Sequence, residues 1–202
     1  MKRLLTLLIF ILVTTLQAQT ITIGKQVWMT ENLNVDTFRN GEAIPAALTD
    51  AEWEMAGENK QPAWCYYEND PGKAMMFGFL YNWYAVNDTR GLCPTGWHVP
   101  SADEWAVLTD FCGEDAGTKM KSMTTWYENG NGTNSSGFDG LAAGNRWASG
   151  SFVNNSTDGY WWSSNEHSAG DAGYLGLGHE DGRIYIGSGR QGNGFSVRCL
   201  RD

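Results

Sequence analysis

Apolar and polar positions change rhythm several times along this chain, and each change marks an element. Thr20-Ile-Thr-Ile-Gly24 alternates polar and β-branched residues, turns at Gly24-Lys25 and resumes in Gln26-Val-Trp-Met29, which predicts a short β-hairpin. Asn32-Leu-Asn-Val35 continues as an extended piece, and Asn40-Gly41 favours a tight turn. Thr49 to Ala56 opens with Thr or Asp, carries acidic residues in its first turn and meets Gly57, which predicts a two-turn helix. A helix that short is marginal alone, so it requires Trp53 to dock onto the body of the domain.

Residues 64 to 90 are dense in aromatics, with Trp64-Cys-Tyr-Tyr67 and Phe77-Gly-Phe-Leu-Tyr-Asn-Trp-Tyr-Ala-Val86. Burial of such rings yields about 25 cal/mol per Å², and this assigns Phe79, Leu80 and Trp83 to the core. Periodicity leaves the second segment open between helix and strand. Beyond Pro100, Ser101-Ala-Asp-Glu104 is a capping box. The helix it starts runs from Ala102 to about Phe111, with Trp105, Leu108 and either Val107 or Phe111 on its apolar face. Cys112-Gly113 ends it.

A Gly/Asn/Ser-rich stretch from Asn129 to Gly137 reads as a loop. Six short pieces follow, and at least the last four read as strands of a small twisted antiparallel sheet: Gly159 to Ser164, Ala172 to Leu177, Gly182 to Ile186 and Gly194 to Leu200. Alternation in Phe195-Ser-Val-Arg198 puts Phe195 and Val197 on one face, where the Trp105/Leu108 helix is expected to pack. Arg198 then points the other way and needs an acidic partner or a carbonyl cage if it is buried.

The first residues change the picture of where the domain works. Lys2 and Arg3 precede an apolar run from Leu4 to Val13, and Leu16-Gln-Ala18 offers a small-residue cleavage site. The run is too short for a membrane span, which needs roughly 20 residues. Residues 1–18 are therefore expected to be a signal peptide and 19–202 a single domain, secreted, periplasmic or at the cell surface, with no membrane insertion after signal removal. Loss of Lys2 and Arg3 takes the formal charge from -9 to -11, which argues against nucleic acid as a partner. In such a compartment disulfides persist. Cys65, Cys93, Cys112 and Cys199 allow three connectivities. A Cys93 to Cys199 bridge would tie the middle of the chain to its end; the alternative is four free, buried cysteines.

Catalytic motifs are incomplete. His98, His167 and His179 are the only histidines, no nucleophile has a Gly-x-Ser-x-Gly context, and Gly187 to Gly192 does not open a capped helix. His98, between apolar neighbours, reads as a core or supporting residue. The chemistry the sequence does offer is recognition. Trp161, Trp162, Asn165, Glu166, His167 and Asp171 combine stacking surface with polar groups, as a sugar ring or other polar surface ligand requires. Strand alternation would bury one of the two indoles and expose the other. No cofactor is implied. Calcium suits the Asn, Glu and Asp oxygens, but no ordered ligand spacing marks a calcium loop and no metal ligand is assigned. The expected function is an exported, non-catalytic binding module for carbohydrate or a cell-surface ligand. The competing reading is a structural or adhesion protein that binds another surface protein through a flat aromatic patch around Tyr66 to Tyr84; an enzyme with an unrecognised site ranks third.

An ordered set of motifs carries a family resemblance. Gly24-x-x-Val-Trp-Met-x-Glu-Asn-Leu33, Phe77 to Trp83, Gly91-Leu-Cys-Pro-Thr-Gly-Trp-His-Val-Pro-Ser101 with Glu104-Trp105, Gly144-x-Arg146, Tyr160-Trp-Trp-Ser-Ser164 and Gly194-Phe-Ser-Val-Arg-Cys199 resemble the Fibrobacter succinogenes major paralogous domain family. That resemblance implies exported or surface proteins, often in many paralogous copies. More distantly, Trp97-His-Val-Pro-Ser-x-x-Glu-Trp105 and Gly194-Phe-Ser-Val-Arg198 are similar to elements of formylglycine-generating and related sulfatase-modifying proteins. This implies an α+β, C-type-lectin-like architecture: irregular, with a small twisted antiparallel sheet, one or two short helices and long loops, and the chain ends joined in one sheet. The enzyme activity of those proteins does not carry over, because it needs a reactive cysteine pair near the C-terminus, where this chain has Cys199 alone.

Overall fold

The computed structural model describes residues 19–202; the expected signal peptide lies outside the described residues. β1 (Thr20–Ile23) and β2 (Gln26–Met29) form the predicted antiparallel hairpin, Thr20 opposite Met29. α1 (Asp50–Glu58) starts at Thr49, whose side chain accepts the Glu52 amide while the Glu52 carboxylate accepts the Thr49 amide. Its docking requirement is met: Trp53 is buried and its Nε1 donates to the Gly192 carbonyl at 3.0 Å.

The aromatic run is both strand and helix. β3 (Trp64–Cys65) pairs antiparallel with β4 (Leu80–Tyr81), the single turn α2 (Ala74–Phe77) lies between them, and α3 (Trp83–Val86) follows, capped by the Asn82 side chain. Phe79, Leu80, Tyr81 and Trp83 are all buried, while Tyr66 and Tyr84 are half-buried. β5 (Trp97–His98) leads into α4 (Ala102–Cys112), where the Ser101/Glu104 capping box is complete. Neither Val107 nor Phe111 completes the apolar face of α4; they are 51% and 63% exposed, and Cys112 is buried beside Trp105 and Leu108 instead. α5 (Ala116–Met120) and the small ladder of β6 (Asn145–Arg146) with β7 (Phe152–Val153) precede the main meander of β8 (Asp158–Ser168), β9 (Asp171–Gly178) and β10 (Ile184–Arg190). The chain ends in β11 (Leu200–Arg201).

Two sheets organise the domain. One has the order β1-β2-β11-β5, so Leu200 lies opposite both Trp28 and His98, and the first and last strands of the described residues share one sheet. The other has the order β10-β9-β8 and is antiparallel throughout. With few helices on small antiparallel sheets, the fold is α+β. The piece read as a strand from Gly194 to Leu200 joins a ladder only at its end. Its backbone bonds change partner along the thread: the Phe195 amide donates to Tyr81, the Ser196 amide to Tyr160, and the Val197 and Cys199 carbonyls accept from Leu33 and Met29. One segment between two sheets has no single neighbour along which to form a ladder. Cys199 at its end is bonded to Cys93, while Cys65 and Cys112 are free and buried.

The core lies on both faces of the meander. Trp161 joins Trp28, Trp105, Phe138, Leu175 and Leu177 on one side, and Trp162 joins Trp83, Phe79, Phe195 and Val197 on the other. α4 therefore covers the Trp161 face, not the Phe195/Val197 face, with Trp105 4.8 Å from Trp28 between ring centroids. The thread carrying Phe195 occupies the opposite face and keeps the helix off it. Arg198 does point away from Phe195 and Val197, and it is fully buried without a carboxylate partner. Its guanidinium donates to the Phe138 carbonyl and to Asn32 Oδ1 and lies over the Phe138 ring. Burial among these neutral groups pulls its pKa down to about 9.

Candidate functional site

The expected stacking pair is core. Trp161 and Trp162 are both 0% exposed, because β8 is covered on each face and alternation has no solvent side to offer. Their indole N–H groups are consumed as well: Trp161 Nε1 donates to Asn32 Oδ1 at 2.8 Å and Trp162 Nε1 to the Tyr81 carbonyl at 2.7 Å. Asn165 is a structural link whose Oδ1 accepts the Ala102 amide at 2.7 Å and the Ser163 hydroxyl at 3.1 Å. Glu166 accepts from Gln191 Nε2 at 3.0 Å. His167 is exposed on the β8 arm. Of the six residues, only Asp171 lines a cleft. Among the described residues no three His, Cys, Asp or Glu side chains converge as a metal site.

That cleft has two lobes of about 430 and 510 Å³, which share Ala148, Ser149, Asp171 and Arg190. Trp147 and Asn193 wall the first lobe; Tyr84 from α3 and the exposed Glu54 and Glu58 from α1 wall the second. Asp171 and Arg190 are Cα partners across β9 and β10, so the floor where the lobes meet carries one charge of each sign. Arg190 makes no ion pair among the described residues, and Asp171 accepts only from Ser168 Oγ, at 3.2 Å. Burial raises the pKa of Tyr84, which keeps its hydroxyl protonated as a donor.

Ten tryptophans occur in the chain, and Trp147, at 46% exposure, is the one that stands among the exposed large hydrophobics. Its presentation is built from below. The Trp147 amide donates to Ser151 and its carbonyl accepts from Gly150, which closes a tight turn. Gly150 has φ +97°, and a Cβ there would sit 2.5 Å from Asp50 Cβ, so only glycine fits. Arg146, fully buried, donates to the carbonyls of Gly150 and Ala47, both at 2.7 Å, and to Asp50 Oδ1 at 3.2 Å. Its guanidinium also lies over Trp53 and Phe152. Asn193, itself buried, accepts the Ala148 amide at 2.9 Å. The indole thus stands on a loop fixed by an arginine and an asparagine, beside an ionic floor.

Sequence reasoning missed Trp147, Tyr84, Arg190, Asn193, Glu54 and Glu58. A signal was present: Trp147-Ala-Ser-Gly150 is a turn, and a large aromatic in a tight turn has no second layer to bury it. Of the two roles expected of His98, core or supporting, the structure gives the supporting one, since His98 contacts the capping carboxylate of Glu104. Its ring is partly exposed and spans two carboxylates, with Nδ1 2.7 Å from Asp202 Oδ1 and Nε2 2.9 Å from Glu104 Oε1.

Together these features define an α+β domain whose first and last described strands share one sheet, with a braced tryptophan turn beside a polar cleft on its flank. The chain matches the Fibrobacter succinogenes major domain over residues 21–201 and belongs to that family. No curated protein and no solved structure matches it.

Proposed function

We propose that this chain is an exported, non-catalytic binding module that holds a cell-surface carbohydrate in the cleft between Trp147 and Tyr84. The observation that carries the reading is Trp147: an exposed indole on a braced turn, next to Asp171, Arg190 and Ser188 as hydrogen-bonding groups. Sugar recognition needs this pairing of an aromatic platform with a few polar groups. The meeting of the first and last described strands in one sheet, with long loops around it, accords with a C-type-lectin-like architecture, and the apolar run at residues 4–13 accords with export.

The test is binding of the purified protein to a glycan panel, followed by titration of the best ligand. Trp147→Ala is expected to weaken it about tenfold, the loss of a ring contact worth on the order of 1 kcal/mol or more. Arg190→Ala is expected to weaken it as well, while Val107→Ala, at an exposed position outside the cleft lining, leaves it unchanged. Equal affinity in folded Trp147→Ala would remove the cleft as the site.

A further inference from the structure

A second surface carries a separate inference. β10 is an edge strand: it pairs with β9 alone, over seven residues. The Gln191 amide donates to Gly170, which extends the β9 register by one pair and sets the alternation. Residues 185, 187 and 189 turn their polar backbone groups toward β9, and Ile184, Ile186 and Ser188 turn theirs outward. Those outward groups have no hydrogen-bond partner among the described residues. Proteins usually blunt such an edge with lysine, proline or a bulge. Ile184 to Gly189 contains none of these, and the register with β9 runs without a shift.

The face beside this edge is equally unfinished. Ile184 and Ile186 lie opposite Leu177 and Leu175, on the side of the sheet that α4 covers. The helix ends short of the edge, so Ile186 is 64% exposed. A groove of about 640 Å³ remains between the strand and the α4/α5 connection, lined by Thr109, Asp110, Asp115, Ala116, Ile184 and Ile186. Asp110 and Asp115 are exposed and make no ion pair among the described residues, whereas Arg183 is already held by Asp181.

We propose that the β10 edge and this groove take an extended, basic segment of a partner protein as an added strand. The free N–H and C=O groups of Ile184, Ile186 and Ser188 supply the ladder. Apolar side chains at every second position of the incoming segment fill the groove over Ile184 and Ile186, and basic side chains meet Asp110 and Asp115. A second copy of this chain fits poorly, since each copy brings the same acidic wall and a net charge of -9.

The probe is a labelled, acetylated peptide of alternating Lys and Val, seven residues long, followed by fluorescence anisotropy, with a Glu/Val peptide as its counterpart. Ile186→Pro removes one outward N–H on the solvent side of an edge strand, where proline is tolerated, and leaves the charge unchanged. Ile186→Thr keeps that N–H. The expected result is saturable binding of the Lys/Val peptide and a loss of about tenfold or more in Ile186→Pro. Ile186→Thr should lose less, and Asp110→Asn with Asp115→Asn should weaken binding independently of any folding defect of the proline variant. The proposal is overturned if the Lys/Val peptide shows no saturable binding, if the Glu/Val peptide binds as tightly, or if folded Ile186→Pro binds like the parent. It is also overturned if the protein dimerises through Ile186 at the working concentration.

Discussion

Removal of the Trp105 side chain is the sharpest probe of how α4 holds the domain together. Trp105 is 1% exposed and is flanked by Trp28 at 4.8 Å and Phe138 at 5.9 Å between ring centroids. Its Nε1 also reaches the Trp162 carbonyl at 3.4 Å, long enough to count at the low end of hydrogen-bond contributions. Truncation of a buried Trp to Ala costs about 3–5 kcal/mol through lost transfer energy and the cavity left behind. The paired ring contacts push the expectation to the upper part of that range, since each is worth about 0.5–1.5 kcal/mol beyond its area. α4 is anchored at its start by the capping box and cannot swing in to refill the space. Against a total stability of about 5–15 kcal/mol, a loss of about 4–5 kcal/mol lowers the melting temperature by about 10–20 °C in a domain of this size. Urea denaturation of Trp105→Ala, Trp105→Phe and Val107→Ala should give a large drop in midpoint, a smaller drop and a change within about 0.5 kcal/mol. An unchanged midpoint in Trp105→Ala, with the slope preserved, would mean that α4 does not cover the Trp161 face.

Two further outcomes test the ends of the chain. The Cys93–Cys199 bridge spans a sequence separation of 106, and a closed loop of that length restricts the unfolded chain by about 4–5 kcal/mol. Cys93→Ala with Cys199→Ala should therefore lower the melting temperature markedly, and added reductant should lower that of the parent but not of the variant; a parent indifferent to reductant would remove the bridge from the account. His98 meets a carboxylate at each ring nitrogen, a geometry that needs both nitrogens to donate and hence the imidazolium. Burial opposes that charge, but the hydrogen bonds to Asp202 and Glu104 and their attraction outweigh it and raise the pKa above 6.5. The stabilisation is thus complete below about 6.5, the unfolded value, and disappears as pH rises through the folded value. The stability gap between the parent and His98→Gln should shrink from pH about 5.5 to about 8.5, and a gap that widened with pH would refute the assignment.

Local chemistry was legible in the sequence wherever its partners lie within a few residues. Ser101 and Glu104 specify their own helix start, Gly24-Lys25 specifies its hairpin, and both stand as read. The three strands of the meander were legible for the same reason, since each is a run between turns. What was not legible depends on which distant segment covers a face. Trp161 and Trp162 have the composition of a sugar platform, yet Phe138 and α4 close one side of β8 and Phe195 closes the other. In a chain this rich in irregular segments, the indoles serve a second purpose that composition does not reveal. Trp53, Trp64, Trp83, Trp105 and Trp162 donate to the carbonyls of Gly192, Ile44, Ser163, Trp162 and Tyr81. Gly192 and Ile44 lie in irregular segments, and Trp162 and Ser163 lie where the register of β8 with β9 breaks, so these indoles supply donors that a regular ladder does not. A tryptophan therefore contributes its burial and donates to a backbone carbonyl at once, in loops and at strand irregularities alike. Trp147 is the one tryptophan among the exposed large hydrophobics, and Arg146 and Asn193 hold its turn in place from beneath, so it is the indole that the packing of these loops leaves open to solvent.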